Sequence, residues 1–149
     1  MRVVNRCTEF ENAAQQLDAT DDVLATIAAQ GGEISRRLQA GRTPAPSANR
    51  KVLHQPRQKG RWPYTMHQVD VGQIREGRPP RARTTHRAAY IEIHDDGVWW
   101  VYVWEKTSQQ GEAEVDRAHQ IARDQCERLG FSSESRPGRS SVGRRGPSV

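Results

Sequence analysis

Residues 88–104 constrain this chain more than any other stretch: Ala88-Ala89-Tyr90-Ile91-Glu92-Ile93-His94, then Asp95-Asp96-Gly97, then Val98-Trp99-Trp100-Val101-Tyr102-Val103-Trp104. Two runs rich in β-branched and aromatic residues flank an Asp-Gly turn signal, the pattern of an antiparallel hairpin. A two-residue Asp96-Gly97 loop pairs Ile93 with Trp100 and mixes polar and apolar side chains on both faces. A three-residue Asp95-Asp96-Gly97 loop pairs Ile93 with Trp99 and Ile91 with Val101, and it sorts the faces cleanly. One face then carries Ala89, Ile91, Ile93, Trp99, Val101 and Val103. The other carries Tyr90, Glu92, His94, Val98, Trp100, Tyr102 and Trp104. A slip of one residue would scramble this segregation, so the second register is expected.

Downstream, Val115, Ala118, Ile121, Ala122, Cys126 and Leu129 recur on one side of a helix over 112–129, and Gly130-Phe131 reads as its C-terminal cap. This helix is expected to cover the aliphatic face of the hairpin. Upstream, Met66, Val69, Val71 and Ile74 predict a third strand over 64–74, followed by an arginine-rich loop from Arg75 to Arg87. At the N-terminus, Thr8 to Glu11 has capping-box spacing, and Phe10, Ala13, Ala14 and Leu17 follow at helical spacing. Thr20 before two aspartates is a second N-cap, and Leu24, Ile27, Ile34 and Leu38 continue the stripe to Gly41.

Phe10, Leu17, Leu24, Gly31 and Leu38 fall seven apart, which reads as a heptad and a homodimer through residues 8–40. Gly31-Gly32 and the internal cap at Thr20 weaken a continuous helix. Two helices packed on the chain's own sheet are therefore the favoured reading. The predicted fold class is α+β: N-terminal helices, a basic linker, a small antiparallel sheet and a covering C-terminal helix. The predicted organisation is a helical segment 1–40, a basic flexible linker 41–63, a sheet-and-helix domain 64–131 and a disordered basic tail 132–149.

Composition supports a modest core, since Leu, Ile, Val and Phe number 25 of 149 residues. The net charge of +5 is unevenly placed. Residues 1–40 carry 4 basic and 6 acidic side chains, residues 41–89 carry 11 and 2, and residues 90–130 carry 4 and 9. The cations thus lie between and after the patterned segments, as in a basic arm on mildly acidic folded parts. Cys7 and Cys126 form no ligand pair and no disulfide framework, which points to a reducing, cytoplasmic compartment. No apolar run is long enough to span a bilayer, and the first residues lack a signal-peptide core.

The chemistry follows from two features. Tyr90, Trp100, Tyr102 and Trp104 would share one sheet face, where large aromatics can stack unpaired bases. Arg50, Lys51, Arg57, Lys59, Arg61, Arg81, Arg83 and Arg87 would supply phosphate contacts. These twelve residues are the predicted nucleic-acid-binding set, and the expected function is a non-enzymatic nucleic-acid-associated accessory protein. The competing reading of the aromatic face is ordinary core beneath the N-terminal helices. A second function is a small protein-binding adaptor or inhibitor using the same aromatics. A third is a metal-dependent nuclease: Asp70 with Glu92-Ile93-His94 resembles the two-carboxylate Mg²⁺ site of restriction-type nucleases, with His94 where Lys is usual. The sequence has no phosphate-binding Gly loop, no nucleophile elbow and no Cys-x-x-Cys. Neither catalytic residues nor a cofactor or metal are expected.

Overall fold

The computed structural model describes residues 2–94, 96–107 and 111–134. The tail predicted to be disordered lies almost wholly outside the described residues. The fold is α+β, with strands β1 (Val4–Arg6), β2 (Lys51–Leu53), β3 (Tyr64–Glu76), β4 (Arg81–Ile93) and β5 (Gly97–Glu105). Helices α1 (Thr8–Gln15) and α2 (Asp21–Gln39) follow β1, and α3 (Glu112–Arg128) follows β5. The strands form one sheet in the order β1-β5-β4-β3-β2. It is mixed rather than antiparallel, because β1 runs parallel to β5, with Val4 opposite Val98. No helix among the described residues is long and apolar enough to cross a membrane.

Both faces of the sheet are covered. On one side α3 packs Ala118, Ile121, Ala122 and Cys126 against Met66, Ala89, Ile91, Ile93 and Val101. This is the covering of the aliphatic face expected from the sequence. The helix ends as predicted: Gly130 takes φ +91° and the Phe131 amide donates to the Cys126 carbonyl at 2.9 Å. On the other side Ile34 and Leu38 of α2 cover Val69, Val71, Ala88, Tyr90, Val98 and Trp100. The Thr20 hydroxyl caps α2, accepting from the Val23 amide at 3.3 Å. The N-terminal apolar stripe is therefore buried on the chain's own sheet.

The hairpin departs from its predicted register. Ile93 pairs with Gly97 and Ile91 with Trp99, so the loop is 94–96, one residue earlier than expected. A register shift follows between Ala89 and Tyr90: Ala89 pairs with Tyr102 but Tyr90 pairs with Trp100, leaving Val101 as the extra residue of a bulge. The bulge inverts the alternation, so the predicted four-aromatic face does not exist. Tyr90 and Trp100 lie under α2, whereas Tyr102 and Trp104 join the side covered by α3. Val103 crosses in the opposite sense, to the α2 side.

Within residues 41–63, expected as a flexible linker, Lys51–Leu53 form the edge strand β2, pairing with Met66–Gln68. The expected loop from Arg75 to Arg87 is also largely strand. β3 runs on to Glu76 and β4 begins at Arg81.

Candidate nucleic-acid interface

β3 and β4 outrun their neighbours. β2 reaches only Gln68 on β3, and β5 reaches only His86 on β4. Beyond these, Gln73 pairs with Thr84, Ile74 with Arg83, Arg75 with Ala82 and Glu76 with Arg81. These pairs make a two-stranded ribbon roughly 13 Å long, closed by the turn Gly77-Arg78-Pro79-Pro80. No other strand pairs with it among the described residues.

Its base is fixed to the body. The Gln73 amide donates to Gln30 Oε1 of α2 at 3.0 Å, and Gln73 Nε2 donates to the Ser47 carbonyl at 2.7 Å. Gly72 sits at φ +69°, and a Cβ there would lie 2.2 Å from Thr85 Oγ1, so the ribbon leaves the sheet at a point only glycine accommodates. Arg75, Arg78, Arg81 and Arg83 are all exposed on this arm. Glu76 is its one acid, and its Oε1 accepts from Arg83 Nε at 2.5 Å.

The other predicted cations fall in several places. Arg50 and Lys51 are exposed at the start of β2, and Arg57, Lys59 and Arg61 are exposed between β2 and β3. Arg87 is half-buried, with Nε 3.9 Å from Asp70 Oδ1.

The predicted aromatics are core. Tyr90, Trp100 and Trp104 are 0%, 3% and 5% exposed. Trp100 lies against Phe10 and Tyr90 at ring separations of 5.7 and 5.4 Å, and its Nε1 donates to Ser35 Oγ at 2.9 Å. Tyr102 is half-buried and stacks on Trp104 at 5.7 Å. None of these can slide between bases without unpacking the sheet.

The Asp70 and Glu92 pairing also fails. β3 places Thr65 opposite Glu92 and Asp70 opposite Arg87. Thr65 and Asp70 are an odd number of positions apart, so the two carboxylates lie on opposite faces, roughly 16 Å apart along the strand. Among the described residues no three His, Cys, Asp or Glu side chains are grouped to hold a metal ion.

Glu92 belongs instead to a charged cluster beside a cavity of about 470 Å³. Its Oε1 lies 3.0 Å from His67 Nε2 and its Oε2 lies 2.5 Å from the Arg2 guanidinium. The contact with His67, helped by Arg2, holds the carboxyl down to about 2 despite partial burial. The His67 ring stacks on Tyr90 at 5.1 Å. Both carboxylate oxygens are engaged, and the remaining nitrogen of His67, Nδ1, is buried without a hydrogen-bond partner. Through Arg2 the cluster works as a clip holding the segment before β1 to the sheet.

Under α3, the Tyr64 hydroxyl lies 2.6 Å from His119 Nδ1, and both residues are buried. Burial, reinforced by Arg123, lowers the His119 pKa to about 4, so the imidazole is neutral at pH 7 and shares one hydrogen bond with the tyrosine hydroxyl. Burial raises both thiols, Cys7 to about 12 and Cys126 to about 11, which leaves them protonated and unreactive.

Sequence reasoning left Arg75 and Arg78 out of the candidate set and placed Arg81 and Arg83 on a loop, where the structure has Arg75, Arg81 and Arg83 paired on the ribbon. The available signal was a turn sequence, Gly77 to Pro80, between two short alternating segments. Compared against protein-family models, curated proteins and solved structures, the chain matches none of them.

Proposed function

We propose that the protein is a nucleic-acid-binding accessory protein whose contact element is the basic β-ribbon, not an aromatic sheet face. The observation that carries this reading is the ribbon itself: residues 73–76 and 81–84 pair past the edge of the sheet and present three exposed arginines, with Arg78 a fourth in the turn. A strand pair whose one large apolar side chain, Ile74, is only half-buried contributes little to a core, and repulsion between like charges works against it. A polyanion removes that repulsion and gains from release of counterions. Arg50 and Lys51 add exposed positive charge at the start of β2, while Arg57, Lys59 and Arg61 are exposed before Tyr64, at the end of β3 away from the ribbon.

Fluorescence anisotropy with labelled oligonucleotides across a series of salt concentrations tests the reading. Affinity should fall steeply with salt, with a log–log slope reduced by about 1 for each ribbon arginine that contacts a phosphate when it is replaced by alanine. Binding that is absent at low salt, or unchanged when Arg75, Arg78, Arg81 and Arg83 are all replaced, contradicts it.

A further inference from the structure

The shape of the ribbon selects among nucleic acids, an inference that rests on the nucleic-acid reading above. Two paired strands lie about 4.8 Å apart, and with side chains they fill roughly the 12 Å width of the B-DNA major groove. The A-form major groove is deep and too narrow for such an element. A single strand would need stacking platforms, and Tyr90, Trp100 and Trp104 are buried.

The two faces of the ribbon also differ. Strand pairing puts Ile74 opposite Arg83 and Glu76 opposite Arg81 on one face, which therefore carries a carboxylate bound to Arg83. The opposite face carries Arg75 directly across from Ala82, with no acid. A carboxylate facing the groove floor can accept only from cytosine N4 or adenine N6, and Glu76 is already engaged by Arg83. An arginine beside a methyl-sized side chain suits that floor, because it donates to guanine O6 and N7 while the small neighbour lets the backbone come close. Charge elsewhere fixes the approach, since residues 90–130, which include α3, carry 9 acidic against 4 basic side chains and would be turned away from DNA.

We propose that the ribbon binds B-form duplex DNA in the major groove, with the Arg75–Ala82 face toward the base edges and Arg78 and Arg81 on the phosphates. The full-length protein is titrated against a duplex DNA, a duplex RNA and a single-stranded DNA of matching sequence, and guanine N7 methylation by dimethyl sulfate is mapped on the complex. Duplex DNA should bind about tenfold or more tightly than the other two, with N7 protection across a few base pairs. R75A should flatten differences in affinity between DNA sequences, whereas R78A should weaken binding evenly. Both positions are exposed, so neither change threatens folding.

Equal or tighter binding to duplex RNA or single strands, or full N7 reactivity in a saturated DNA complex, overturns the major-groove assignment while leaving the nucleic-acid reading intact. Failure to bind any of the three removes the nucleic-acid reading itself and this inference with it.

Discussion

At the scale of single residues, the buried aromatics separate packing from recognition. Trp100 is enclosed by Phe10, Tyr90 and Ser35, so replacing it with alanine removes a large apolar side chain and a hydrogen bond and leaves a cavity. Trp100→Ala should cost about 3–5 kcal/mol, read as a lower urea midpoint. Any loss of nucleic-acid binding should track the unfolded fraction and not precede it. His119 and Glu92 are the most strongly shifted of the groups that set the acid response, with His86 and Glu9 lowered in the same windows by burial and by Arg128 respectively. His119 sits near 4 in the fold against an ordinary 6.5, so below 6.5 the unfolded chain takes up the proton first. Stability is therefore full above about pH 6.5 and falls toward pH 4, with a slope of at most about 1.4 kcal/mol per pH unit. Glu92 is depressed from 4.5 to about 2, so its contribution is present above 4.5 and is lost as pH falls toward 2. Urea midpoints measured from pH 7.5 to 3 should show both windows, and His119→Gln should shrink only the upper one, leaving the share contributed by buried His86.

At the scale of elements, the ribbon and the sheet it leaves should respond independently. Gly72→Ala forces an unfavourable φ and drives a methyl group into Thr85, so it should destabilise the whole fold by about 1–3 kcal/mol. Replacing residues 75–82 by Asn-Gly closes the strands with a tight turn. It should leave the melting temperature within a few degrees while abolishing DNA binding. The elements also show what could be read in advance. The hairpin was legible because its alternation is strong, and α3 was legible from an apolar stripe ending in Gly130-Phe131. The bulge at Val101 was not, since alternation states only which residues share a face and one extra residue in a single strand inverts it silently. The far half of β4 was hidden for another reason. Arg81-Ala82-Arg83-Thr84 holds no large apolar side chain and its first three residues are exposed. Its strand character comes from pairing with residues 73–76.

At the scale of the whole molecule, the chain returns to its own beginning. β1 is three residues long, too short for a sequence signal, and takes its partner from Val98–Trp100 far downstream. Arg2 reaches Glu92, the Val98 amide donates to the Val3 carbonyl at 2.9 Å, and Glu9 of α1 forms an ion pair with Arg128 of α3. These long-range ties hold helices on both faces of one sheet and leave the β3–β4 ribbon as a basic projection from an otherwise closed body. The excess of arginine over 41–89 is where the proposed polyanion binding starts, while the shape of the ribbon depends on a strand pairing that composition does not encode.

The most direct test is an amide NMR titration of the full-length protein with a short DNA duplex. The account predicts chemical-shift changes concentrated on residues 74–83, with the Trp100 indole resonance unmoved. Shifts confined to other surfaces, or a Trp100 indole that responds at the first additions of DNA, would contradict it.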